Sequence, residues 1–175
     1  MEKVIPNKLE ETEFFKEHGN LVEFFDNCCQ EHNGKMAFES FGVEISYEDL
    51  SEKVNAFASW LTNNFQAGDR IAVMMPNMLA YPIIVYGALK AGIVVVNVNP
   101  LYTVRELAHQ LNDSQTQTII LLQNFANTLE QALPQTEIKN IVLTQVGDMC
   151  GGVKKHLVNF VVKHVKKMVK PFNLP

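Results

Sequence analysis

The sequence has little cysteine, and none of it is usefully spaced. Cys28 and Cys29 are adjacent and Cys150 is remote, with no C-x-x-C pair and no histidine at zinc-ligand spacing. That excludes a secreted-type disulfide framework and a structural zinc site, and leaves reduced thiols as expected of a cytosolic chain. Glycine-built motifs are missing too. There is no G-x-G-x-x-G, no G-x-x-x-x-G-K-S/T and no G-x-S-x-G, so no dinucleotide fingerprint, phosphate loop or nucleophile elbow lies in these residues. Gly68, Gly87 and Gly92 stand alone, and the Gly151-Gly152 pair is a weak signal. Acid is absent from the end: residues 151–175 carry six lysines and no Asp or Glu. Residues 1–150 hold all 19 acids and nine of the 15 Lys and Arg, a net of −10. A secretory leader is excluded by the acidic continuation of Met1-Glu2-Lys3. Residues 71–89 lack charge, but Pro76, Asn77 and Pro82 break the run, so it reads as strand, turn and buried helix rather than a membrane span.

What is present suits one domain. The 175 residues are 47% hydrophobic and 19% charged, enough for a real core. Residues 1–20 read as an arm, 21–150 as an α/β unit, and 151–175 as a basic amphipathic helix followed by a linker. Apolar spacing predicts a helix from Leu21 to about His32, and short strands over Met36–Glu39 and Val43–Ile45 joined at Phe41-Gly42. Ser46 caps the next helix, with Glu48 and Asp49 at its positive end and Leu50, Val54, Phe57 and Leu61 at helical spacing. Strand Arg70–Met75, helix Met78–Ala91 ending at Gly92, and strand Ile93–Val98 follow. The continuous apolar run of Ile93–Val98 predicts a central parallel strand. Thr103–Leu111 is a helix with a capping box from Thr103 and Glu106, then strand Thr118–Leu122, helix Phe125–Leu133 and strand Ile141–Thr144. Strand–helix–strand repetition with right-handed crossovers gives an α/β fold, a parallel sheet with helices on both faces.

Candidate chemistry is sparse. His18, His32, His109, His156 and His164 are scattered, and His109 reads as a surface or satisfied core residue. Glu10, Glu11, Glu13, Glu17 and Glu23 read as a solvated face, so no metal site and no catalytic residue is expected here. Lys154 to Lys170 can form a helix with Leu157, Val158, Val161, Val165, Met168 and Val169 along one side. Lys155, Lys163, Lys166, Lys167 and Lys170 fall on the other, as candidate contacts to an anionic membrane surface. A helix packed on another domain with a solvated basic face fits the same pattern. Five lysines without arginine or interleaved aromatics argue against nucleic acid.

Three segments, in order, resemble a known family. Ile45-Ser46-Tyr47-Glu48-Asp49-Leu50, Gly68-Asp69-Arg70-Ile71-Ala72-Val73, and Leu89-Lys90-Ala91-Gly92 leading to Pro100 are similar to the first core motifs of adenylate-forming enzymes. Met74-Met75-Pro76-Asn77, Val96 to Thr103 with Arg105 to Ser114, and Val158 to Lys163 resemble the bacterial long-chain fatty-acyl-CoA synthetases within that group. The resemblance implies the N-terminal subdomain of such a ligase. It implies ATP, Mg²⁺ and CoA as cofactors of the complete enzyme, a long-chain fatty acid as substrate, and a cytoplasmic or peripheral location at the inner face of the membrane. The chain is expected to stop short of the family's phosphate loop, and Phe172-Asn173-Leu174-Pro175 reads as a linker. The piece alone is therefore expected to bind none of these cofactors and to be inactive. In related ligases the loop matching Asn99, Leu101, Tyr102 and Thr103 lies near the CoA nucleotide. Some relatives place Arg where this chain has Leu101, which cannot pair with a phosphate. A turn after a strand explains Asn99-Pro100 equally well. A homodimer stays open. The alternative is a standalone α/β interaction or membrane-docking module.

Overall fold

The computed structural model describes residues 19–40 and 42–175. The arm at residues 1–20, except Gly19 and Asn20, and Phe41 of the expected turn lie outside them. Helix α1 (Leu21–Glu31) starts at Asn20, whose side chain accepts from Val22 N and Glu23 N. Strands β1 (Met36–Ser40) and β2 (Val43–Ser46) form an antiparallel hairpin, a separate two-stranded sheet. Ser46 then caps α2 (Tyr47–Asn64), accepting from Asp49 N at 3.1 Å.

The main sheet holds β3 (Arg70–Met74), β4 (Val94–Asn97), β5 (Thr118–Leu122) and β6 (Asn140–Thr144), all parallel, in the order β4-β3-β5-β6. Helix α3 (Ala80–Lys90) joins β3 to β4, α4 (Val104–Asp113) joins β4 to β5, and α5 (Ala126–Ala132) joins β5 to β6. Alternation along the strands divides the core. Ile71, Val73, Ile120 and Leu122 face Leu61 of α2 and Ile84 and Ala88 of α3. Ala72, Met74, Ile119 and Leu121 face Leu107 and Leu111 of α4 and Leu129 of α5. A third cluster joins α1, β2, α2 and α3 through Phe25, Cys29, Ile45, Leu50, Val54 and Ile83.

Two expectations are corrected. The apolar run at 93–98 is not central. β4 sits at the sheet edge, with Val94 46% exposed, while β3 and β5 are the inner strands. The crossover through α4 passes β3 and sets β5 on its far side, so β4 is left with one partner. The predicted helix from Lys154 to Lys170 is shorter. Helix α6 (Gly152–Phe160) passes into a π-helical turn at Val161–Val165, and Lys167 takes a φ of 51°. The chain beyond lies along α5 instead. Asn124 Nδ2 donates to Met168 O at 3.3 Å, Asn127 Nδ2 donates to Pro171 O at 3.0 Å, and Leu174 packs on the α4–α5 side of the core.

Two local devices set the geometry. At Gly87 a Cβ would lie 2.7 Å from Phe57 Cδ1 and 3.3 Å from Val54 O, so glycine lets α3 close on α2. Its intrinsic helix cost is about 1 kcal/mol against alanine, which close packing offsets. The capping box at α4 is complete: Thr103 Oγ1 accepts from Glu106 N at 3.4 Å, and Glu106 Oε2 accepts from Thr103 N at 2.8 Å. Bonds from the Thr103 backbone and hydroxyl hold the Glu106 carboxyl below its ordinary pKa.

Gly87→Val is expected to lower stability by about 1–3 kcal/mol through overpacking, read as a drop in the urea midpoint at constant slope. An unchanged midpoint would show that the α2–α3 contact is loose. Thr103→Ala should cost about 1 kcal/mol through the lost cap. The Glu106 contribution has a sign that pH can test. Its folded pKa is depressed, so its stabilisation is full above the unfolded value and fades as pH falls through the folded one. Glu106→Gln should therefore be less stable than the parent at neutral pH and equal to it in acid, by paired thermal melts.

Candidate functional site

All strands of the main sheet are parallel, so their carboxyl ends share one edge. There the chain leaves β3 toward α3 on one face, and leaves β4 and β5 toward α4 and α5 on the other. This divergence opens the crevice in which open α/β sheets hold ligands.

At the β5–β6 end the crevice is filled by the chain itself. Gln123 is 5% exposed, and its Oε1 accepts from Gln145 Nε2 at 3.2 Å. Gln145 Oε1 accepts from Asn159 Nδ2 at 2.6 Å, and Asn159 Oδ1 accepts from Gly147 N at 2.7 Å. A Cβ on Gly147 would lie 2.6 Å from Lys155 O, so α6 can approach only a glycine there. Asp148 accepts from Gln145 N at 2.7 Å and pairs with Lys155 at 3.1 Å. Val146 and Met149 pack against the α2–α3 side of the core. Of this group only Lys155 was singled out from sequence, as a membrane contact, and Asn159 stood within a stretch of family resemblance. The other members are ordinary amides that carry no motif, and an isolated glycine such as Gly147 is the one local signal of a close approach.

At the β3–β4 end the edge is more open. Tyr81 Oη donates to Asn97 Oδ1 at 2.9 Å, and Gln110 Nε2 donates to Asn97 O at 2.8 Å. The loop after β4 is a tight turn in which Asn99 Oδ1 accepts from Leu101 N at 3.0 Å and Asn99 O from Tyr102 N at 3.1 Å. It brings together the four residues the resemblance singled out. Leu101 projects with 84% exposure, Tyr102 packs on the α4–α5 side of the core, and Thr103 caps α4. Thr103, Arg105, Glu106 and His109 line an open surface cleft.

The candidate lysines lie in different local settings. Lys155 pairs with Asp148, Lys163 lies on the π-helical turn, and Lys166, Lys167 and Lys170 lie beyond α6. Lys154, outside the candidate set, donates to Gly42 O at 3.0 Å. The apolar residues divide as well. Val158 and Val162 are half-buried, while Val153, Leu157 and Phe160 are exposed.

The Cys29 thiol is set against activation. Burial pushes the Cys29 thiol up, and Asp26 adds to the shift. Among the described residues no three His, Cys, Asp or Glu side chains converge as a metal site would need. One further concavity, of about 460 Å³, lies between β1 and α3. Its wall includes Tyr86, whose ring stacks on Phe25 at 4.2 Å and whose hydroxyl pKa is raised by burial.

Comparison with known proteins places this geometry. A family profile described as AMP-binding enzyme matches residues 25–167. The chain is 46% identical over 158 residues to a long-chain-fatty-acid–CoA ligase of Haemophilus influenzae, covering 89% of this chain and 28% of that protein. It is 44% identical over 160 residues to the enzyme of the same name from Yersinia pestis, covering 90% of this chain and again 28% of the relative. Among solved structures, a benzoate CoA ligase from Burkholderia xenovorans LB400 superposes with a TM-score of 0.67 at 24% identity. That match covers 79% of this chain and 28% of the other, and it speaks for the fold alone. The chain thus spans little more than a quarter of the curated relatives it matches, and over that span it belongs to the AMP-binding enzyme family.

Proposed function

We propose that this chain is the N-terminal part of an AMP-forming long-chain fatty-acid–CoA ligase. The observation that carries the reading is 44–46% identity, across about nine-tenths of the chain, to relatives bearing that name. In that reaction the fatty carboxylate attacks the α-phosphate of ATP, releasing pyrophosphate and leaving an acyl-adenylate. The CoA thiol then attacks the acyl carbon, and AMP leaves. A carboxylate is a poor acyl donor until its oxygen becomes part of a good leaving group, and that step needs positive charge around the phosphates.

The described residues do not fit those charges. They hold no converging acidic set for Mg²⁺, and the sequence has no phosphate loop. No step is therefore assigned to Mg²⁺ or ATP in this piece. In this reading it supplies the scaffold, and the turn at Asn99, Leu101, Tyr102 and Thr103 borders the CoA approach through backbone and apolar contacts. The chain alone should show no fatty-acid-dependent ATP–pyrophosphate exchange. Joined to the part of the Haemophilus relative that follows the matching span, it should support exchange with palmitate. A folded chimera that fails to do so sinks the ligase reading.

A second reading concerns location. No helix among the described residues is long and apolar enough to cross a membrane. Val153, Leu157 and Phe160 lie along one side of α6 at 84%, 61% and 57% exposure, with Lys154 and Lys163 nearby in sequence. Such a stripe suits peripheral attachment to an anionic membrane, with about 1 kcal/mol from each lysine near the surface. Vesicles rich in phosphatidylserine should retain the chain at low salt. Leu157→Glu with Phe160→Glu should release it more completely than charge reversal at Lys163, Lys166 and Lys167. Indifference of the parent chain to these vesicles would refute the attachment.

A further inference from the structure

We propose that the outer edge of β6 is a docking edge for a further β-strand, supplied by the remainder of the ligase of which this chain is a part. The source of the strand rests on the ligase reading, while the open edge rests on the geometry alone.

The pairing of β6 shows which of its backbone groups are free. Asn140 N donates to Gln117 O at 3.1 Å, with Asn140 in register opposite Thr118. In a parallel pair, residues that bond one neighbour alternate with residues that face away from it. Asn140, Val142 and Thr144 therefore bond β5, and Ile141 and Leu143 direct N–H and C=O outward. Among the described residues no side chain bonds those outward groups. The opposite edge of the sheet differs. Val94 N donates to Asp69 O, so Val95 and Asn97 face out of β4. There α4 reaches across, and Gln110 Nε2 donates to Asn97 O at 2.8 Å.

β6 also lacks what usually blunts an edge strand. Asn140-Ile141-Val142-Leu143-Thr144 has no charge and no proline, and its register with β5 runs without a bulge. Ile141 packs on the α4–α5 side of the core and Val142 on the α2–α3 side, the two-sided apolar pattern of an inner strand. Leu143 is nevertheless 39% exposed. Unpaired N–H and C=O groups in a row are matched by another extended backbone. Two arguments select its source. The edge is only about 17 Å long, so pairing with a second copy along it would bury far less than the roughly 1,000 Å² of a stable interface. A strand joined to the chain needs no such area, because the tether raises its local concentration. The relatives also have the length to supply one, since the matching span is 28% of each.

The test compares amide hydrogen exchange in the 175-residue chain with that in the chimera carrying the rest of the Haemophilus relative. The Ile141 and Leu143 amides should exchange freely in the chain and about tenfold or more slowly in the chimera, with Val142 protected in both. Leu143→Pro removes an outward N–H and spares the bonds to β5, so the chain should keep its circular dichroism. In the chimera the same substitution should restore fast exchange at Ile141. Equal rates at Ile141 and Leu143 in the chain and in a folded chimera overturn the proposal. So does protection already present in the chain: growing with concentration, it names a second copy as the cover, and independent of concentration, the chain itself. Amide protection in a chimera that lacks palmitate-dependent ATP–pyrophosphate exchange would sink the ligase reading and leave the docking edge standing. Pyrophosphate exchange without amide protection would do the reverse.

Discussion

The inner strands of a parallel sheet have no face left for water, and most of this chain is arranged around that demand. Ile71, Ala72, Met74, Ile119 and Leu121 are fully buried, and Val73 is 1% exposed. Each strand must therefore be apolar on both sides, and each side needs helices of its own. Each of the Ile, Val, Leu and Met side chains removed from water is worth roughly 1.5–3 kcal/mol. That sum far outweighs the cost of a glycine inside α3, which explains why Gly87 is tolerated where alanine would form a better helix. Glycine brings α3 against Val54 and Phe57, and that contact closes one face of the sheet.

The same demand gives α3 its composition. The run without charge from Ile71 to Leu89 covers a strand buried on both faces, then a helix that touches the sheet, α2 and the hairpin cluster. Where those neighbours stop, the apolar surface does not. The groove against β1 is that remainder. A charged residue at Val85 would have been compatible with the core, so its absence calls for a further contact beyond those that hold the fold.

The sequence displayed what depends on neighbours along the chain. Ser46 and Thr103 are legible as caps because their partners stand three residues on, and both bonds are formed. The parallel α/β arrangement was legible because strand and helix periods alternate. Position within the sheet was not. β4 reads Val94-Val95-Val96 and β5 reads Ile119-Ile120-Leu121, and nothing in those strings says that one lies at the edge and the other inside. Strand order comes from how the α4 crossover passes β3, a property of the folded chain. The length of α6 failed for a related reason. Lysines and valines at helical spacing fit a continuous helix through Lys170, but Asn124 and Asn127 draw the last residues onto α5. The groove lay beyond reach because its walls, Phe38 and Val85, are far apart in sequence and carry no motif. The site turn was visible only through resemblance, since Asn99-Pro100 alone signals a turn.

The closure of the carboxyl edge then decides where a ligand can approach. A crevice in this fold could in principle open at either flank of β3. On the β5 side the amides of Gln123, Gln145 and Asn159 satisfy one another, and α6 is drawn in over Gly147. Opening that end would leave Gln123, 5% exposed, without its partner, at about 1–3 kcal/mol for a buried polar group left unpaired. On the β4 side no such ladder forms. Asn97 is anchored by Tyr81 and Gln110, but Asn77, Asn99 and Leu101 stand exposed around it. The polar ladder at one end thus directs any approach to the other. There Asn97, held by Tyr81 and Gln110, ends the edge strand, and the turn from Asn99 to Thr103 begins directly after it.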